Sequence, residues 1–145
     1  MRLLVILMVG FACPDAAECA SSALVPHRVE PRPNTTCGCE FFRPAEGGGL
    51  GFDPLVAIGI NEQPPFAVVN LGDGNQTLSL VKDSGWRACR AGEKWESRWQ
   101  GRDLVLDVSL LATGPGEESC WFDGSLSMTR GNAKASLPIR GACGC

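Results

Sequence analysis

Two Cys-Gly-Cys triplets constrain this chain more than any other feature. They are Cys37-Gly38-Cys39 and Cys143-Gly144-Cys145, at opposite ends of everything that reads as folded. Cysteines within one triplet are poor partners for each other, because the ring between them is tight and strained. Each triplet should therefore pair outward. A bridge from one triplet to the other closes a loop of roughly 100 residues, for which chain-entropy estimates give about 4–5 kcal/mol. It would latch the start of the fold to its end. Cys89 and Cys120 complete a set of six cysteines beyond residue 23. Six cysteines pair in fifteen ways, so the partners stay open. Either two triplet cysteines take Cys89 and Cys120, or all four triplet cysteines pair while Cys89 joins Cys120.

Structural disulfides lead the readings of these triplets, because exported chains live where disulfides persist. A second reading is a tetrahedral site of four thiolates for zinc or Cu(I), since soft thiolates select those ions. Structural zinc sites more often use Cys-x₂-Cys loops, and an oxidising compartment competes for the thiols. A third is thiol exchange with a partner, which needs an accessible thiol of low pKa. Only Arg140 lies near the last triplet to lower one. No metal and no cofactor are therefore expected.

Export is read from the first segment. Arg2 precedes the apolar run Leu3–Ala12, too short for the roughly 20 residues that span a bilayer. A basic start, an apolar run and then small residues form a secretory signal pattern. Ser21-Ser22-Ala23 favours cleavage after Ala23, with Cys19 and Ala20 as alternatives. Lipid attachment at Cys13 is the rival, but it would leave Cys19 as an odd thiol in an oxidising space. Residues 1–23 thus read as a signal peptide. No second spanning run follows, so the expected location is periplasmic or extracellular with no transmembrane segment.

Residues 24–36 carry three prolines and no periodicity, and read as an extended arm ahead of a β domain at 37–145. Glu46–Phe52 is a glycine-rich turn that lacks the Lys-Ser/Thr ending of a phosphate loop. From Pro54 onward the pattern is strand, turn, strand. Pro54–Ile60 and Phe66–Leu71 are apolar runs, and Gly72-Asp73-Gly74-Asn75 is a turn cluster. Leu104, Leu106, Val108 and Leu110 share one face of the next pattern, and Val105, Asp107 and Ser109 share the other. That is the period of two of a half-buried antiparallel strand. Leu78, Leu80, Leu126, Leu137 and Ile139 join the expected core. Pro138 cannot donate to a ladder, so the last strand reads as an edge. Six or seven short strands at this spacing predict an all-β fold, either an antiparallel β-sandwich or a small barrel, stapled by disulfides.

The segment Lys82–Arg102 holds six basic residues, three acidic ones and three of the four Trp. Its net charge is +3, while the whole chain, with 13 Lys+Arg against 16 Asp+Glu, carries −3. Gly85, Gly92 and Gly101 bracket it, so we read Arg87–Gln100 as strand rather than helix. Aromatic faces beside basic groups hold glycans, anionic polymers or acidic protein surfaces. The candidate binding residues are Trp86, Arg87, Arg90, Trp95, Arg98 and Trp99. The plainer reading places the Trp in the core and the charges on the solvated face of the same strands.

This segment also carries a resemblance. Leu71-Gly72-Asp73-Gly74 with Leu78 and Leu80, then Ser84-Gly85-Trp86-Arg87 and Trp99-Gln100-Gly101, resemble the periplasmic lysozyme inhibitors of the membrane-bound C-type family. In that family a Ser-Gly-x-x-Tyr loop and a Trp-x-Lys-Gly-like strand enter the lysozyme cleft. Here Ala88 stands at the Tyr position, and Gln100 precedes Gly101 where Lys would be. The resemblance implies an inhibitor of a cell-wall hydrolase. The closing Gly141-Ala142-Cys143-Gly144-Cys145 resembles the endings of small exported bacterial β proteins of unknown function, which implies compartment and fold type alone.

Enzyme chemistry finds little to stand on. His27 is the one histidine and sits in the proline-rich arm, so a His-based triad is hard to build. Paired cysteines offer no nucleophile. Asp53, Glu62, Asp107, Glu117, Glu118 and Asp123 supply carboxylates for glycosidase-like work, but no spacing singles out a pair. Asn34-Thr35-Thr36 and Asn75-Gln76-Thr77 match the glycosylation pattern. Net acidity excludes a globally basic nucleic-acid binder. The expectation is a non-enzymatic binding module with a protein or glycan partner.

Overall fold

A computed structural model of the chain describes residues 24–46, 54–85 and 89–145. Eight antiparallel strands run in sequence order: β1 (Gly38–Phe42), β2 (Val56–Gly59), β3 (Phe66–Asn70), β4 (Asn75–Asp83), β5 (Lys94–Gln100), β6 (Val105–Pro115), β7 (Ser119–Arg130) and β8 (Ala133–Gly144). Each pairs with the next, and β8 returns to β1, so the sheet closes into a barrel. Of the two expected architectures, the small barrel is the one formed. The signal pattern, most of the glycine-rich turn, and Asp53, Trp86 and Arg87 lie outside the described residues.

Alternation places the core. Leu104, Leu106, Val108 and Leu110 are all buried, whereas Ser109 is exposed and Val105 and Asp107 are half-buried. Leu78, Leu126 and Ile139 are buried with them, and Leu80 and Leu137 pack against the same cluster at partial exposure. An eight-stranded barrel has an interior that side chains can fill. Here Trp95, Trp99, Phe41 and Phe122 fill much of it, each at most 1% exposed.

The expected latch is present in its second form. Cys37 bonds Cys145, Cys39 bonds Cys143, and Cys89 bonds Cys120. Cys39 and Cys143 are direct register partners across the β1–β8 seam. All four triplet thiols are bonded there, and no described cysteine is free.

Two expectations need correction. First, β8 is not an edge strand, because β7 and β1 flank it on either side. Its pairing with β1 stops at Arg140, however. Pro138 therefore stands where β8 has a neighbour on one side only, and its missing N–H costs the seam nothing. Second, the packed unit reaches back beyond Cys37. Leu24 belongs to the core cluster, and Val29 is fully buried. The arm has one isolated bridge, His27 to Asn70, and its backbone bonds outward: the Val29 amide donates to the Pro54 carbonyl. Asn70 and Asn75 side chains donate to the carbonyls of Arg28 and Pro31, and Arg32 pairs with Glu40. Phe42, Ala57 and Val68 occupy the outward phase of β1–β3 yet are buried, outside the interior cluster.

Candidate functional site

Strand β5 decides what becomes of the Trp–Arg segment. Its burial alternates strictly along Lys94–Gln100, with Trp95, Ser97 and Trp99 inside and Lys94, Glu96, Arg98 and Gln100 outside. Successive side chains of a strand point to opposite faces, so the aromatic and basic residues separate across the barrel wall. Trp95 and Trp99 are core residues, not part of an outer face. Their indole N–H groups are satisfied within the fold: Trp95 donates to the Asp83 carboxylate, and Trp99 donates to Ser97 Oγ at 2.9 Å. Arg90 is exposed in the β4–β5 connection, away from the strand itself.

Outside, Arg98 faces its register partner Asp107. Nε and Nη2 donate to the two carboxylate oxygens at 2.6 and 3.0 Å, the planar fork geometry in which Arg binds carboxylates best. The hydrogen bonds and the nearby negative charge raise the Arg98 pKa further above its ordinary value. Beside this pair the outer face of β4–β7 dips into a groove of about 400 Å³. Side-chain length explains the dip. Ser109 and Ser125, register partners on β6 and β7, form a floor with Ser127, and the longer Lys82, Glu96 and Arg98 rise beside them. Lys82 and Glu96 have no ion-pair partner among the described residues. The groove thus offers hydroxyls, one ammonium and one carboxylate. Sequence reasoning found Arg98 but missed the serines, because Ser109, Ser125 and Ser127 lie on two strands and register alone gathers them.

The carboxylates singled out for acid–base chemistry are dispersed. Glu62 accepts the Thr36 amide, Asp107 holds Arg98, and Asp123 holds Arg140. Glu117 and Glu118 are exposed in the β6–β7 turn. No two of the described ones are register partners. The β4–β5 hairpin also holds apart the segments that resemble lysozyme inhibitors. The Ser84 amide bonds Glu96, while Gln100 pairs with Ser79 near the other end of the hairpin. Four residues of strand, about 13 Å, separate the two levels.

Comparison with family models, curated proteins and solved structures returns no match for this chain. The reading of the site rests on its own chemistry.

Proposed function

We propose that the protein is an exported, non-enzymatic binding module that engages an anionic or glycan partner through the outer groove of β4–β7. One observation carries this reading: large side chains occupy the barrel interior, while serine hydroxyls, Lys82 and Glu96 converge on its outer wall. A barrel that carries a small ligand inside needs a lumen, and Trp95, Trp99, Phe41 and Phe122 take that space. Export is supported by three disulfides, which persist in oxidising compartments, and by the signal pattern before Leu24. Among the described residues no helix is long and apolar enough to cross a membrane.

Binding of the secreted domain to acidic polymers and acidic oligosaccharides, at low and high salt, tests the reading. An anionic partner should bind less tightly as salt screens the groove, and Lys82→Ala should weaken it further. Binding that is indifferent to Lys82→Ala, Glu96→Gln and Ser125→Leu would remove the groove from consideration.

A further inference from the structure

The Cys-Gly-Cys motifs do more than hold bridges. Strand alternation sends Cys39 and Cys143 inward, so the glycines beside them face out. Gly38 and Gly144 are register partners across the seam, and the next row outside reads Trp121, Ala142, Glu40. No outward side chain of β8 here is larger than a methyl, and a groove of about 360 Å³ opens over it. The floor is fixed from below and from the side. A Cβ on Gly38 would sit 2.7 Å from Thr35 Oγ1, and one on Gly144 would sit 2.8 Å from the Glu118 carbonyl.

The walls are chemically unlike. Trp121 stands on one side at 38% exposure, the one aromatic among the large exposed hydrophobic side chains of the described residues. On the other side stand Glu40 and the arm hydroxyls of Thr35 and Thr36. Glu40 is paired with Arg32 at 3.3 Å, and both side chains remain about one-third exposed. That pair disfavours a charged ligand. A cation would compete with Arg32 for the carboxylate, and an anion would meet Glu40. A neutral ligand rich in hydroxyls can use the Glu40 acceptor and the Thr35 and Thr36 hydroxyls together. An exposed indole opposite such a rim suits a molecule with one apolar face and polar edges, the amphipathic contact for which exposed Trp is favoured. The cavity volume falls within the small-ligand range.

We propose that this groove binds a neutral pyranose unit of a glycan, its C–H face stacked on the Trp121 indole and its hydroxyls directed to Glu40, Thr35 and Thr36. The site is separate from the β4–β7 groove and does not depend on it.

Titration calorimetry of the folded, disulfide-intact domain against neutral oligosaccharides of glucose, mannose and N-acetylglucosamine tests the proposal. At least one should bind with little salt dependence. Trp121→Ala should weaken that binding roughly tenfold or more, as truncation of an aromatic anchor does. Ala142→Leu, which fills the floor and leaves the indole in place, should do the same, so a folding defect in one variant does not decide the matter. Lys134→Ala, on the exposed start of β8 and in neither groove, should leave it unchanged. No binding by any of the three sugar series, or binding that survives both Trp121→Ala and Ala142→Leu, overturns the proposal. So does a site that takes only a basic peptide, with affinity lost in Glu40→Gln.

Discussion

Asp123 and Arg140 face each other across β7 and β8 with Nε–Oδ1 at 2.6 Å and Nη2–Oδ2 at 3.2 Å. The hydrogen bonds from the guanidinium, more than its charge, hold the Asp123 carboxyl below the ordinary Asp range. A carboxyl whose folded pKa is depressed adds stability above its unfolded pKa, about 3.9, and loses it as pH falls through the folded value. Both side chains are about half exposed, so solvent screens the effect. Asp123→Asn should leave a measurably flatter acid limb in urea denaturation midpoints taken from neutral pH downward. An unchanged limb would show that the pair contributes nothing. Inside the wall, magnitudes are larger. Trp99→Ala should cost about 3–5 kcal/mol and Leu106→Ala about 2–5 kcal/mol by chemical denaturation, with Ser97 Oγ losing its indole donor in the first. The neighbours Arg98 and Trp99 show how composition and geometry part company. A residue count gathers them into one cluster, whereas the alternation visible in the same letters sends them to opposite sides of β5. Trp121 was legible by the same rule, since Cys120 and Phe122 on either side of it point inward.

Strands differ in how plainly their sequences announce them. Leu104–Leu111 alternates without interruption, and β6 follows it closely. In β1 only Cys39 and Phe41 mark the inner phase of a five-residue strand, too few positions for a period of two to stand out. The arm left no periodic trace because its polar groups bond irregularly, one or two at a time, to Asn70, Asn75 and Pro54. Burial of Leu24 and Val29 depends on strands distant in sequence, which no local pattern in the arm reveals. On β8, Gly141 lies between Phe122 on one side and Phe41 on the other. A Cβ there would come within 1.9 Å of the Glu40 carbonyl. Glycine at this point lets two phenylalanines and two backbones share a narrow seam. Gly141→Ala should therefore destabilise by about 1–3 kcal/mol, the usual cost of overpacking, and more than Ala135→Ser on the half-buried start of β8. Equal midpoints for the two variants in a thermal melt would contradict that packing.

At the scale of the molecule, alternation cannot separate a sandwich from a barrel, because both bury every second residue. The decisive fact is long-range: β8 pairs with β1. The triplets gave the one hint of it, since a bridge from residue 39 to residue 143 brings the outer strands together. The two bridges are also nested. Their sequence separations are 108 and 104, so either one alone already closes nearly the same loop. Loop closure of that size is worth about 4–5 kcal/mol in the chain-entropy model, and that entropy is removed once. Replacing one pair by alanine should cost much less than this beyond local packing, and replacing both pairs should cost more than the sum of the two. Denaturation of the two paired variants and the quadruple variant measures it as a double-mutant cycle; simple additivity would refute nesting.

That same closure decides how the domain would respond to a pull. Tension applied between Cys37 and Cys145 passes through one sulfur–sulfur link. The eight strands between those residues carry none of it. Tugged at Leu24, the arm would lose its bonds to Asn70 and Pro54 first, with Leu24 and Val29 exposed as it leaves. The barrel would stay shut behind it, so mechanical strain would free the arm while the latched strands remained whole.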